Sequence, residues 1–127
     1  MTTILVVDDE ETIASTVKSC LEVKGYAVSV SLTSQEARDA IDRARPDLVV
    51  LDIKLKEADG VEVLKWIRRH HSNLPVVVMT GYETEELRQQ ISRLGALRTI
   101  HKPVSMPELQ RQIAEIAATL PSTSSCG

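Results

Sequence analysis

An α/β fold, a parallel sheet with helices packed on both faces, is what this 127-residue chain predicts. Three observations carry it. Short runs rich in Val, Ile and Leu, over 3–7, 26–30, 48–52, 75–80 and 97–101, alternate with stretches whose apolar residues recur at helical spacing. The runs at 3–7, 48–52 and 75–80 are almost unbroken, as expected of strands covered on both faces. Polar residues stand where these runs end: Asp8 and Asp9, Asp52, Thr80, and Lys102 before Pro103.

Each element has its own signal. Thr3-Ile4-Leu5-Val6-Val7 reads as the first strand. Ile13, Val17 and Leu21 step by four and lay one apolar stripe along the first helix, which Lys24-Gly25 ends as glycines past helix termini do. The second strand covers 26–30. Thr33 or Ser34 offers a capping hydroxyl to a helix whose Ala37 and Ile41 share a face. Pro46 precedes the third strand, 48–52, and Asp59 is the candidate cap of a helix striped by Val61, Leu64 and Ile67. Pro75 opens the fourth strand, and Leu87, Ile91 and Leu94 mark a fourth helix closed by Gly95. After the strand at 97–101, Ser105 is the candidate cap of a last helix carrying Leu109, Ile113, Ile116 and Leu120. These stripes face the core rather than a binding groove.

Composition narrows the function classes. Hydrophobic content of 43% and charged content of 26% are ordinary for a globular protein. A net charge of −3 gives no footprint for nucleic acid. No apolar run approaches the ~18 residues that cross a membrane, and no secretory leader is visible. Only Cys20, in a helix, and Cys126, in a polar tail, are cysteines, too few for a disulfide framework, so a cytoplasmic setting is expected. Cys20 reads as buried and inert. One domain is expected over 1–120, with 121–127 a flexible tail or truncated linker.

In an open parallel sheet the carboxyl ends of the strands share an edge, and ligands bind there. Asp8, Asp9, Asp52, Thr80 and Lys102 therefore converge on one pocket of three carboxylates, a hydroxyl and an ammonium. Such a set suits a divalent cation and a phosphoryl group. Each residue alone has a plainer explanation. Asp8 and Glu11 have capping-box spacing, Asp52 can be a turn residue, Thr80 structural and Lys102 a solvated surface charge. Their joint placement favours a site.

Asp8-Asp9, Asp52, Thr80 and Lys102-Pro103, on a five-fold β/α chain, resemble the receiver domain of bacterial two-component response regulators, over essentially residues 3–120. Asp59-Gly60 and Gly95-Ala96 also fall where that family has them. The resemblance implies a flavodoxin-like doubly wound sheet of five parallel strands in the order 2-1-3-4-5. It implies that Asp52 accepts a phosphoryl group from a sensor histidine kinase or histidine phosphotransfer protein. Asp8, Asp9, Asp52 and the Lys54 carbonyl would hold Mg²⁺ (or Mn²⁺), Thr80 would bond the phosphoryl group, and Lys102 would pair with it across a cis bond to Pro103. Hard oxygen donors suit Mg²⁺, and Mg²⁺ with Lys102 would neutralise the charge that phosphoryl transfer develops. The chain would then catalyse only its own phosphorylation and dephosphorylation. It would signal through residues 81–104 and the C-terminal helix, to a homodimer partner or an output domain.

The chain departs from the family at Leu55-Lys56, which stands for the usual Met-Pro, and at Thr99, which stands where an aromatic usually reports phosphorylation; Gly81 follows Thr80 where a small residue is expected, and Tyr82 comes next. There is no Phe, and the aromatics are Trp66, Tyr26 and Tyr82. These departures keep open a pseudo-receiver, a phosphorylation-independent interaction module. A haloacid-dehalogenase-type phosphatase is disfavoured because Lys54 occupies the position of its second aspartate. A flavodoxin is disfavoured because the first strand leads into Asp-Asp instead of a phosphate loop. Adjacent His70 and His71 point apart on a helix and make a poor metal pair.

Overall fold

The computed structural model describes residues 2–53, 59–81 and 84–120. Five strands and five helices alternate: β1 (Thr3–Val7), α1 (Glu11–Glu22), β2 (Ala27–Ser31), α2 (Ser34–Arg43), β3 (Leu48–Asp52), α3 (Gly60–His70), β4 (Val76–Thr80), α4 (Glu85–Arg93), β5 (Arg98–His101) and α5 (Met106–Thr119). All strands are parallel, in the order β2-β1-β3-β4-β5. The expected doubly wound sheet is therefore present. The strands predicted at 26–30, 75–80 and 97–101 shift or shorten by one residue. Pro75 and Leu97 border the ladder instead of joining it as strand residues, although the Pro75 carbonyl still accepts from Val49 N–H.

Period-two alternation sorts the strand residues into two cores. Leu5, Val7, Val49, Leu51, Val76 and Val78 pack on one face with Ala37, Ile41, Leu64, Ile67 and Ile91 from α2, α3 and α4. Ile4, Val6, Leu48, Val50, Val77 and Met79 pack on the other with Val17, Leu21, Leu109 and Ile113 from α1 and α5. Both layers are aliphatic, and each fully buried Leu or Ile contributes about 1.5–3 kcal/mol. Trp66 is only partly buried, at the margin of the first core. Its ring lies 5.0 Å from that of His70 and 5.5 Å from that of His71, and His71 Nε2 is 3.0 Å from Asp42 Oδ1 on α2.

The side-chain caps lie at Thr33, Asp59, Thr84 and Ser105, whose oxygens accept from Glu36, Val61, Leu87 and Glu108 N–H. Thr84 carried no sequence expectation. Gly95 follows the α4 cap with φ +74°, and Gly25, with φ +96°, lies one residue further past its helix than expected. Cys20 is buried, and that burial pushes its thiol pKa up. Among the described residues no helix is long and apolar enough to cross a membrane. The tail, 121–127, with Cys126, lies outside the described residues.

Candidate functional site

Asp52 is the last residue of β3, and its register partner on β4 is Met79, one residue before Thr80. Asp8 follows β1, and Lys102 follows β5. The topology that orders β1, β3, β4 and β5 side by side thus brings these residues to one edge of the sheet. Strand alternation continues Leu48 and Val50 into Asp52, and Val76 and Val78 into Thr80, so the carboxylate and the hydroxyl flank the edge from opposite faces. The edge is largely closed to solvent: Asp8 is 4% exposed, Asp52 7% and Thr80 2%.

Lys102 Nζ donates to Asp52 Oδ2 at 2.9 Å and lies 3.5 Å from Asp8 Oδ2. One carboxylate oxygen each from Asp8, Asp9 and Asp52 fall within 4.8 Å of one another. Burial raises the Asp8 pKa, aided by the charge of Asp52. The bond from Glu10 N–H and the Lys102 ammonium pull the other way without cancelling it. For Lys102, burial disfavours the ammonium, but the bond to Asp52 and the charges of Asp52 and Asp8 outweigh it and raise the pKa. Among the described residues the pocket is an anionic cage of three carboxylates, partly offset by the Lys102 ammonium.

Backbone contacts hold the cage in shape. The Asp8 N–H donates to Ser31 O at 3.1 Å, Ile53 N–H to Met79 O at 3.1 Å, and Lys102 N–H to Thr80 O at 2.8 Å. The last of these ties the ammonium-bearing residue to the hydroxyl-bearing one. The Lys102–Pro103 peptide is cis, as the resemblance implied. Gly60, the first residue of α3, lies against the residue that follows β3: its N–H donates to Ile53 O at 2.7 Å, and a Cβ there would sit 2.6 Å from the Ile53 carbonyl carbon.

The capping-box alternative for Asp8 fails. Helix α1 begins at Glu11 with Glu10 at the cap position and no side-chain cap bond, and Asp8 Oδ1 instead accepts from Glu10 N–H at 2.9 Å. That bond fixes one Asp8 oxygen and turns the other toward Lys102. The structure therefore gathers Asp8, Asp9, Asp52 and Lys102 as predicted, with Thr80 at the adjoining strand end. Lys54, expected to offer a carbonyl, and Tyr82, beside Thr80, lie outside the described residues, as does Lys56. Thr99 pairs with Val78 and is half-buried.

The donor set fits a hard divalent cation: every ligand atom is a carboxylate oxygen, and a positive charge already satisfies two of the three groups. The same set fits no soft metal, because no thiol or imidazole belongs to the cluster among the described residues.

A sequence model described as the response regulator receiver domain matches residues 4–114. Sporulation initiation phosphotransferase F of Bacillus subtilis (strain 168) is 34% identical over 107 residues, which cover 84% of this chain and 86% of that protein. The alkaline phosphatase synthesis transcriptional regulatory protein PhoP of the same organism is 35% identical over 113 residues, 89% of this chain but only 47% of that protein. The chain thus spans most of the phosphotransferase and about half the length of the transcriptional regulator. Among solved structures, the non-phosphorylated HemR receiver domain from Leptospira biflexa matches with a TM-score of 0.89 at 28% identity, covering 95% of this chain and 98% of that one. A CheY-like receiver domain from Methanospirillum hungatei JF-1 matches with a TM-score of 0.88 at 30% identity, covering 93% and 94%.

Proposed function

The chain belongs to the response regulator receiver domain family, and from that membership we propose that it accepts a phosphoryl group on Asp52 from a sensor histidine kinase or histidine phosphotransfer protein. The observation that carries the reading is the salt bridge of Lys102 to Asp52 and Asp8 inside a cluster of three carboxylates. An Asp52 oxygen forms the bond to phosphorus as the nitrogen–phosphorus bond of the donor phosphohistidine breaks. The imidazole departs with the electron pair and takes up a proton. Lys102, already within bonding reach of Asp52, turns its ammonium to an oxygen of the transferred group. Thr80 supplies a hydroxyl donor from the next strand end. Asp8, Asp9, Asp52 and the Lys54 carbonyl would hold Mg²⁺ or Mn²⁺, which supplies charge neutralisation at the phosphoryl oxygens. The chemistry is confined to the chain's own aspartate, so the protein is a signalling module and not an enzyme with a separate substrate.

The signal leaves through residues 81–104 and α5. Phosphorylation adds charge and acceptor oxygens that draw Thr80 and its loop inward. With threonine at position 99, backbone movement of Gly81 and of α4 carries the change. Output is to a second copy or to an attached effector domain, in a cytoplasmic setting.

The test is labelling of the intact chain with acetyl phosphate or phosphoramidate and Mg²⁺, read by mass spectrometry. One phosphoryl group is expected on the native protein and none on Asp52→Asn. Equal labelling of both would overturn the assignment. Thr99 favours one second reading, a pseudo-receiver that binds partners without phosphate. Under it, beryllofluoride would shift amides around Asp52 and leave those of 81–104 unmoved.

A further inference from the structure

The two edges of the sheet are built differently. β5, at one edge, is 4 residues long and opens with Arg98, which pairs with Glu115 on α5 at 2.8 Å. Shortness and charge are how edge strands avoid pairing with other chains. β2, at the other edge, carries no such protection. It reads Ala27-Val28-Ser29-Val30-Ser31, its register with β1 is unbroken by any bulge, and no charged residue or proline stands from Gly25 to Gln35. Its inner side is occupied: Ala27 N–H donates to Thr2 O, and Asp8 N–H to Ser31 O, which turns the main-chain groups of the odd-numbered residues toward β1. Those of Val28 and Val30 point outward, where no described residue bonds them. The next outward N–H, that of Leu32, is taken by Glu36 Oε1 at 3.0 Å. Within the strand the open edge is thus Val28 and Val30, placed symmetrically about Ser29.

Helix α2 leaves this edge uncovered. Ser29 is exposed, and a groove of about 320 Å³ bordered by Ser29, Glu36, Asp39 and Arg43 separates strand from helix. α2 starts just past the carboxyl end of β2 and runs back along it. Glu36 and Asp39 therefore lie toward that end of the groove, and Arg43 toward the other. Arg43 is exposed and has no ion pair among the described residues, and Asp39 meets only the neutral Gln35 amide, at 2.9 Å. A surface with opposite charges at its two ends is complementary to itself when turned end for end, which is the requirement of a two-fold interface.

We propose that the β2 edge is a pairing surface for a second copy of this chain. The two β2 strands run antiparallel about a two-fold axis at Ser29, so that Val28 of one copy and Val30 of the other exchange both main-chain hydrogen bonds. Ser29 meets its own counterpart at the axis, where paired hydroxyls bond across strands. The same rotation sets Glu36 and Asp39 of one α2 opposite Arg43 of the other. The sheet then runs unbroken through both copies, with β5 at each far edge. The pairing goes beyond the phosphoryl-acceptor reading and does not rest on it, because no group of the Asp52 pocket takes part.

Sedimentation velocity on the whole chain, over a concentration series without metal or phosphodonor, tests it apart from any role of Asp52. The native chain should show a monomer–dimer equilibrium. Val30→Pro removes an outward N–H and no bond to β1, so the dimer should be lost while circular dichroism stays native. Asp39→Arg and Arg43→Glu each set like charges across the axis, and each should weaken dimerisation by on the order of tenfold. Mixed together, these two variants should pair more tightly than either does alone, because the two introduced charges then face each other with opposite signs. The mixture carries the test if the proline variant does not fold. A native chain that stays monomeric at every concentration, a dimer indifferent to these substitutions, or a mixture that pairs no better than its components would overturn the proposal.

Discussion

Lys102 Nζ sits 2.9 Å from the Asp52 carboxylate, so in the resting pocket the ammonium bonds the same group that would take up the phosphoryl group and help hold a metal. Metal and ammonium therefore compete for the same negative charge. Lys102→Ala should bind Mg²⁺ more tightly, on the order of tenfold, since a unit charge ~4 Å away is worth several kcal/mol at an effective dielectric near 20 before screening. Titration calorimetry reads this directly. Weaker binding in the variant would mean that Lys102 helps to organise the carboxylates instead of competing for them.

The raised Asp8 pKa makes a second outcome testable, with a definite sign. The folded state holds the Asp8 proton more tightly than the unfolded chain does. That favourable contribution is complete below the ordinary carboxylate pKa of about 3.9, and it is lost as the pH rises through the folded value. At neutral pH the ionised, metal-free Asp8 is thus a burden on the fold. Asp8→Asn keeps the oxygen that accepts from Glu10 N–H and removes the charge. In EDTA it should melt above the native protein at pH 7, with the gap closing on acidification, and the extra stability given by Mg²⁺ should shrink. A lower melting temperature in EDTA at pH 7 would refute the assignment.

Gly60 supplies a third. Any side chain there would press into the Ile53 backbone directly after Asp52. Gly60→Ala should destabilise by about 1–3 kcal/mol, the usual cost of overpacking, measured by urea unfolding. It should also weaken Mg²⁺ binding, because the displaced residue adjoins Asp52. Full stability with normal metal affinity would mean that the Ile53 backbone shifts without cost to the site.

The strands at 3–7 and 48–52 were legible residue for residue because both faces are buried, which leaves an unbroken apolar run with a sharp polar end. Those sharp ends also exposed the site: Asp52 and Thr80 stand out because everything before them is aliphatic. Strand limits blurred at Tyr26, Pro75 and Leu97, which are apolar but lie at or beyond the last ladder bonds. The Asp8–Glu11 spacing suggested a cap, but the chain makes a turn bond at Glu10 first and starts the helix two residues later than a cap at Asp8 requires. The contacts of Arg68 were invisible for a different reason: its guanidinium donates to the main-chain carbonyls of Ser72, Leu74, Leu94 and Gly95, and no sequence pattern marks a carbonyl that every residue carries.

The setting of Trp66 decides how this protein can be observed. Helices in such a sheet run antiparallel to the strands, so the Trp66–His70–His71 group at the end of α3 lies toward the edge opposite Asp52. The one indole of the chain is therefore a spectator of the seam where His71 meets Asp42. Its emission would follow loosening of α2 from α3, and it would be nearly blind to events among the aspartates. An optical assay of the pocket calls for a chromophore placed at the other end of the molecule.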